Sequence, residues 1–413
     1  MRSTQRAWLV VALLWPVALL NYLDRLMITT MRDPIVADVP MSAADFGLLT
    51  SVFLWVYGLL SPAGGYLADR YGRRRVIIAS LAVWSVVTWS TGHATTLNEM
   101  LLARGLMGIS EACYIPAALA MIADFHPGRT RSLATGIHTS GTYLGAALGG
   151  LGGIVAEQYG WRAAFSVFGV VGVVYAPLLI WSLPGKPDVE DEPQPSRATP
   201  SEAASFEQVF RALASQRWFW LLGLINVLVG VSNWVVYAWL PTYLRERFTL
   251  GLGMAGISAT AYVQIASFVA TLAGGAWADD WSRSQPRARA WVPAIGYLLA
   301  GPFLFLAATV DLLPLAILGL IVFGLGRGMF DANHMPLVRK LVPARASATA
   351  YGVLNFVSCM AGGVMIYAGG AIKDAELPLA LVFQAAAVGL FLAGALLALM
   401  GAACAPKSDD GDS

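Results

Sequence analysis

Long apolar runs recur along this chain, and short polar turns separate most of them. A helix that crosses a lipid bilayer needs about 20 consecutive, mainly apolar residues. Twelve stretches meet that requirement, at residues 8–31, 45–68, 76–93, 98–123, 132–156, 162–183, 217–241, 253–278, 288–309, 312–337, 347–371 and 377–402. The pattern therefore predicts an all-α membrane protein with twelve transmembrane helices.

One connection between the predicted helices is long and differs in composition. Residues 184–216 hold five prolines among Asp, Glu and Ser residues, a mixture that cannot bury a core. We interpret it as a cytoplasmic linker between an N-terminal six-helix half, residues 1–183, and a C-terminal six-helix half, residues 217–402. Residues 403–413 are predicted to be a disordered cytoplasmic tail.

The positions of Lys and Arg predict the orientation in the membrane. With the N-terminus in the cytoplasm, the cytoplasmic segments carry 19 of these residues and the outer segments carry 5. Cytoplasmic loops of membrane proteins are enriched in Lys and Arg. We therefore expect both termini in the cytoplasm, with a bacterial inner membrane as the location.

The overall composition supports a membrane protein and disfavours other classes. The chain is 57% apolar and 13% charged, whereas soluble domains are about a quarter charged. A net charge of +2 without a basic and aromatic patch argues against nucleic-acid binding. Because the sequence has no nucleotide-binding loop, metal cluster or catalytic triad, we expect no cofactor, no metal and no enzymatic activity. The expected form is a monomer.

Two segments of the first half have echoes in the second half. Residues 65–73, which follow the second predicted helix, match residues 275–283 at an offset of 210. Residues 108–112 match residues 328–332 at an offset of 220. Two parallel six-helix repeats are typical of alternating-access carriers, whose site lies between the halves near the middle of the bilayer. A channel or a membrane enzyme is the alternative.

A charged cluster interrupts the first apolar run, in the sequence Asn21-Tyr22-Leu23-Asp24-Arg25. Each charge costs roughly 2.5–3.5 kcal/mol on insertion scales, so such residues are typical of transport paths. In the fourth predicted helix, Arg104 lies at a similar depth and Glu111 lies closer to the midplane. Pro116 cannot donate to the carbonyl of Ala112, which leaves a free acceptor beside Glu111. The position suits a carboxyl group that takes up protons.

The loop after the second helix has a charge pattern that suggests a gate. Asp69 lies at a helix C-terminus, where a carboxylate opposes the helix dipole and needs cationic partners. Arg70, Arg73 or an arginine of the other half could supply them in one transport state and separate in another. Asp279 is the corresponding acid in the second half. The alternative is a basic loop that only sets the topology.

These motifs resemble those of a known superfamily. The segment Gly65-x-Leu67-Ala68-Asp69-Arg70-x-Gly72-Arg73-Arg74 is similar to the loop signature of the major facilitator superfamily, and Arg104-x-x-x-Gly108 fits a second signature. Gly141, Gly145 and Gly149 would permit close helix contact. The resemblance implies the major facilitator fold.

Within that superfamily, the sequence around Asp24, Arg25, Tyr57, Arg104 and Glu111 resembles the anion:cation symporter family. The resemblance implies that Arg25 and Tyr57 contact the substrate, that Asp24 and Glu111 carry protons, and that Arg104 tunes Glu111. Further candidate substrate contacts are Tyr22, Asn355 and His138, with packing as the alternative for His138.

The tenth predicted helix departs from that family pattern. Arg327, Asp331 and His334 are spaced i, i+4 and i+7 and share one stripe of the helix. With Asp24, Glu111 and Asp331 as acids and three arginines as bases, the helix interiors are formally neutral. An incoming carboxylate would make them negative and favour proton uptake, so the stripe is a candidate for proton coupling. A structural ion pair between Arg327 and Asp331 is the alternative.

The leading hypothesis is therefore proton-coupled symport of a small organic anion, either a sugar acid or a monocarboxylate. A spinster-type carrier of lysolipids or sphingoid phosphates shares the Asp-Arg pair on the first helix and the glutamate on the fourth. Proton-driven efflux of cationic compounds is a third alternative, and the adjacent Arg25 argues against it.

Overall fold

The computed structural model describes residues 2–126, 130–185, 216–285, 287–342 and 347–403. The regular structure of these residues is helical, with one 3₁₀ turn at Ile28–Met31. In the first part of the chain the α-helices are α1 Arg2–Met27, α2 Arg32–Asp38, α3 Ala43–Tyr71, α4 Arg73–Thr91, α5 Leu97–Ala112, α6 Tyr114–Phe125, α7 Arg131–Leu148, α8 Leu151–Tyr159 and α9 Trp161–Ser182. After the gap they are α10 Arg217–Phe248, α11 Leu252–Trp281, α12 Ala288–Ala307, α13 Leu313–Leu341, α14 Ser347–Asp374 and α15 Ala380–Ala403.

We call the described residues before and after residues 186–215 the N-terminal and C-terminal halves. Most of the predicted linker and nearly all of the predicted tail lie outside the described residues. The all-α prediction is confirmed for the part that is described.

Ten helical stretches are long and apolar enough to cross a membrane. The other two predicted spans are also helical but depart from a simple apolar helix. The third predicted span is α4, which has only 19 residues and begins with three consecutive arginines. The fifth is divided into α7 and α8 at Gly149 and Gly150. Ten of the twelve predicted membrane-spanning helices are thus supported by their length and composition.

The fourth predicted span is interrupted as its proline suggests. Helix α5 ends at Ala112 and α6 begins at Tyr114, with Pro116 in its first turn. A proline lacks the N–H group that would continue the helical hydrogen bonds. The interruption places Glu111 in the last turn of α5, where the neighbouring backbone is not part of a regular helix.

The two halves meet mainly where α3 packs against α14 and where α11 packs against α7 and α8. The α3–α14 contact begins near Gly47, where an added Cβ would lie 2.8 Å from the carbonyl oxygen of Ile366. It continues through Ser51, whose hydroxyl donates to the carbonyl of Gly363 at 2.7 Å. Next comes Trp55 Nε1, which donates to the carbonyl of Met360 at 3.2 Å. We call the end of the bundle near Asp374 the closed end.

Two carboxylates fasten the closed end by capping helices of the opposite half. Asp374, at the end of α14, accepts hydrogen bonds from the backbone N–H groups of Ala43 and Ala44 at 2.7 and 2.8 Å. Glu157, near the end of α8, accepts from the first two N–H groups of α11 at 3.1 and 3.2 Å. The N-cap of α11 is Gly251, which has no side chain to do this. We refer to Asp374 and Glu157 as the two clasps.

At the opposite end of the bundle, which we call the open end, the same helices have free space around them. An added Cβ at Gly136 of α7 or at Gly352 of α14 would meet no heavy atom of the described chain within 4 Å. The first and last described residues, Arg2 and Ala403, lie at this end according to the order of the helices. The halves are therefore joined at the closed end, and these two positions of the open end are not covered by the opposite half.

Candidate functional site

An ion pair between α1 and α5 forms the centre of the candidate site. Arg25 Nη2 and Nε lie 2.8 and 3.2 Å from Glu111 Oε2, and Nη2 lies 3.3 Å from Asn21 Oδ1. The side chains of Arg25 and Glu111 are 2% and 0% exposed. A buried ion pair is costly to break on one side only, because the remaining charge is then left uncompensated. Whatever separates the pair must therefore supply a new counter-charge or a proton.

Three aromatic rings enclose the guanidinium group of Arg25. Its Cζ atom lies 4.6 Å from the ring centre of Tyr22, 5.0 Å from that of Phe53 and 4.5 Å from that of Tyr57. Aromatic faces attract cations over such distances. The structure thus brings together Arg25, Tyr22 and Tyr57, which the sequence proposed as substrate contacts.

The side chain of Asp24 lies in different surroundings from that of Arg25, the next residue in the chain. Its side chain is almost fully buried, and Oδ1 has no hydrogen-bond partner among the described residues. Thr88 and Trp84 of α4 lie beside the carboxyl, but their polar atoms do not reach it with hydrogen-bond geometry. An isolated carboxylate is expensive to bury, whereas a neutral carboxylic acid is less so. Asp24 and Arg25 therefore occupy chemically distinct environments.

Arg104 is buried in the same half and takes its own partners. Its Nε donates to the carbonyl of Leu49 at 3.3 Å, and Nη1 lies 3.2 Å from the sulfur of Met107. Its Cζ atom lies 4.6 Å from the ring centre of Phe53, so this one ring contacts the guanidinium groups of both Arg104 and Arg25. Among the described residues no hydrogen bond joins Arg104 to Glu111, and the predicted influence of Arg104 on Glu111 stays a prediction.

The charges on α13 form a second network that reaches the other half. Arg327 Nε lies 3.5 Å from Asp331 Oδ2, and Nη1 donates to Gln264 Oε1 at 3.1 Å. Gln264 Nε2 donates to the hydroxyl of Tyr237 at 3.0 Å. From the N-terminal half, the hydroxyl of Tyr143 donates to Asp331 Oδ2 at 3.0 Å. Arg327 and Asp331 of the predicted stripe thus form an ion pair, and Tyr143 connects this pair to the N-terminal half.

The remaining candidate substrate contacts and His334 lie in different surroundings. His138 is buried, with Nε2 lying 2.9 Å from the hydroxyl of Tyr114 within the N-terminal half. Asn355 is partly buried on α14, one turn from Cys359, which packs against Gly58 of α3. His334 stacks on Phe330, with ring centres 4.9 Å apart, at the open-end side of Arg327.

The predicted gate residues have partners within their own halves. Arg73 lies 3.5 Å from Asp69, whose side chain is 71% exposed, and also pairs with Asp124. Arg70 donates to the hydroxyl of Tyr66 at 2.8 Å. Asp279 pairs with Arg289. These contacts fit an arrangement in which the open end is parted. The predicted change of partners between states stays a prediction.

Several residues of the site were not predicted from the sequence. Phe53 lies one helical turn before Tyr57, and this spacing could have indicated that both rings face Arg25. Gln264 is a lone amide in an apolar run, which is also a usable signal. The two clasps carry no local signal, because each caps a helix that is distant in sequence.

A helical bundle of two halves, with buried charges near their boundary, defines a membrane carrier of the secondary-transporter type. The profile of the Major Facilitator Superfamily matches residues 14–366, and the chain belongs to that superfamily. The resemblance drawn from the sequence motifs is thereby confirmed.

Known proteins similar to this chain fall into more than one functional group. An MFS-type efflux pump of Mycolicibacterium smegmatis is 28% identical over 97% of this chain and 92% of its own length. A probable galactarate/D-glucarate transporter of Escherichia coli is 26% identical over 86% of this chain and 85% of its own. The crystal structure of a bacterial homologue of the human lysosomal transporter Spinster, inward-facing and unoccupied, aligns with a TM-score of 0.80. That protein is 23% identical, and the alignment covers 96% of this chain and 97% of the other.

Proposed function

We propose that this protein is a secondary active transporter that moves a small organic anion together with protons by alternating access. The observation that carries the proposal is the buried ion pair of Arg25 and Glu111, together with the adjacent residue Asp24, whose buried carboxyl has no hydrogen-bond partner for Oδ1 among the described residues. The similarity to a probable sugar-acid transporter supports an anionic substrate. The proposed location is a bacterial inner membrane with both termini in the cytoplasm, and the proposed form is a monomer.

Coupling follows from competition for one guanidinium group. A substrate carboxylate that binds Arg25 takes the place of Glu111 Oε2. Glu111 then lies buried without a counter-charge, a state that costs several kcal/mol unless the group takes up a proton. Anion binding and proton uptake at Glu111 therefore favour each other. Asp24 is the second proposed proton carrier, and the helix α13 charges Arg327 and Asp331 keep the path near neutrality.

In the proposed orientation the open end faces the cytoplasm, so the structure corresponds to an inward-facing state. Closing the open end would bring the loops of Asp69 and Asp279 toward the opposite half. The two clasps would separate in the same movement. Alternating access then requires that substrate and protons shift the balance between the two arrangements.

Uptake into proteoliposomes tests the proposal, with radiolabelled D-glucarate and D-gluconate as probes. We expect an inward proton gradient to increase uptake and Arg25→Ala to abolish it. Glu111→Gln is expected to retain exchange of internal for external anion while losing accumulation driven by the gradient. Arg247→Ala is a matched control, because that arginine is 41% exposed at the end of α10 and pairs with Asp311 of its own half. Uptake that is indifferent to the gradient would refute symport.

Proton-driven efflux is a second candidate, supported by the similarity to the efflux pump over nearly the whole chain. An exporter of cationic compounds would have a buried acid without a paired base at its centre, and Asp24 meets that description. Binding of a cationic dye that is abolished by Asp24→Asn but unaffected by Arg25→Ala would favour efflux. Binding of lysolipids without binding of sugar acids would favour the spinster-type alternative.

A further inference from the structure

The ion pair on α13 is held much less tightly than the one at Arg25. Arg327 Nε and Asp331 Oδ2 are 3.5 Å apart, whereas Arg25 and Glu111 approach to 2.8 Å. Hydrogen bonds between charged groups normally measure about 2.7–2.9 Å. The side chain of Asp331 is 34% exposed, whereas that of Glu111 is 0% exposed. Asp331 is therefore easier to displace from its arginine than Glu111, provided that another anion takes its place beside Arg327.

The surroundings of Arg327 are suited to a carboxylate oxygen. One oxygen of Asp331 receives both the Arg327 guanidinium and the hydroxyl of Tyr143. Arg327 Cζ lies 4.9 Å from the ring centre of Tyr237, and its Nη1 is fixed by Gln264. A guanidinium held in this way presents its remaining N–H groups in a fixed orientation. Asp331 thus occupies a preformed site at the boundary between the halves, where donor groups are placed to receive a carboxylate oxygen.

The two arginine sites belong to different halves. Arg25 lies on α1 of the N-terminal half, whereas Arg327 lies on α13 of the C-terminal half, and Tyr143 of the N-terminal half reaches its partner Asp331. Carriers built from two such halves bind their substrate between them. A small molecule bound there would therefore have one guanidinium group of each half available.

We propose that Arg327, Tyr143 and Gln264 form a second acid-binding subsite, which Asp331 fills when no substrate is bound. The substrate class is then a small dianion with an acid group at each end, one for Arg25 and one for Arg327. This inference rests on the proposed function, since it specifies the anion that the same path accepts. It assigns the α13 pair to substrate selection rather than to proton coupling.

Binding of D-glucarate and D-gluconate to the purified protein in nanodiscs tests the subsite. Both probes have six carbons, but only glucarate has two acid groups. A charge-assisted contact corresponds to about 10–100-fold in affinity, so glucarate is expected to bind at least about tenfold tighter. Arg327→Gln is expected to remove that preference by weakening glucarate alone. Asp331→Ala is expected to tighten glucarate, because the competing carboxylate is gone.

A merely structural ion pair would give a different pattern. Both variants would then lower the thermal unfolding temperature and weaken the two acids alike, which would overturn the proposal. Equal affinity of the wild type for the two acids, or binding of neither, would also overturn it. Arg327→Lys provides a second variant that keeps the charge, and we expect it to retain part of the preference. If gluconate uptake follows the proton gradient while glucarate shows no advantage, the subsite is refuted and the symport proposal stands.

Discussion

Removing the two clasps should shift the protein away from the arrangement described here. Asp374→Ala and Glu157→Ala together leave the first N–H groups of α3 and α11 without their partners from the opposite half. Loss of a side-chain cap costs about 1 kcal/mol per helix, so the closed end would lose roughly 2 kcal/mol. A change of 1–2 kcal/mol alters the ratio of two states by about 5–30-fold. The population parted at the closed end should rise by that factor.

Pulsed electron paramagnetic resonance can measure this population. Spin labels at Ala37→Cys and Glu376→Cys, in a background without the native cysteines, would report the separation of the halves at the closed end. Asp45→Ala is a matched control, because Asp45 caps α3 from within its own half through the capping box with Ser42. We expect a longer distance to appear in the double variant and not in the control. Identical distance distributions for the double variant and the wild type would refute the role of the clasps.

Two further predictions concern packing in the N-terminal half. Gly145→Ala should lower the unfolding temperature, because its Cβ would lie 2.0 Å from the carbonyl oxygen of Leu19 and overpacking costs about 1–3 kcal/mol; Gly136→Ala on the same helix faces open space and should be neutral or slightly stabilising. Phe53→Leu should weaken anion binding and lower the unfolding temperature, because it removes the ring that contacts both Arg25 and Arg104, at about 0.5–2 kcal/mol per contact; calorimetry measures both, and a lower unfolding temperature with unchanged anion affinity would show that the ring only fills space.

The features predictable from the sequence are those that local physics determines. The lengths of the apolar runs predict the helices. Pro116 indicates the break between α5 and α6, because proline cannot continue a helix. Asp24, Arg25 and Glu111 stood out because charges are rare in apolar runs. The spacing of Arg327 and Asp331 by one turn indicated their contact.

The features that depend on how helices rotate and pack were not predictable in this way. The pairing of Arg25 with Glu111 joins residues 86 positions apart. Arg104 was an equally reasonable partner for Glu111 by depth, but its rotation on α5 directs it to Leu49. The clasp of Glu157 depends on the approach of α8 to α11, for which an apolar pattern contains no information.

In the proposed mechanism an anion displaces Glu111 from Arg25, and Glu111 then takes up a proton. Proton uptake on anion binding can be measured with a pH indicator in weakly buffered solution as D-glucarate is added to the purified protein. We expect net proton uptake in the wild type and its loss in Glu111→Gln. Anion binding without proton uptake, or equal uptake in Glu111→Gln, would contradict it.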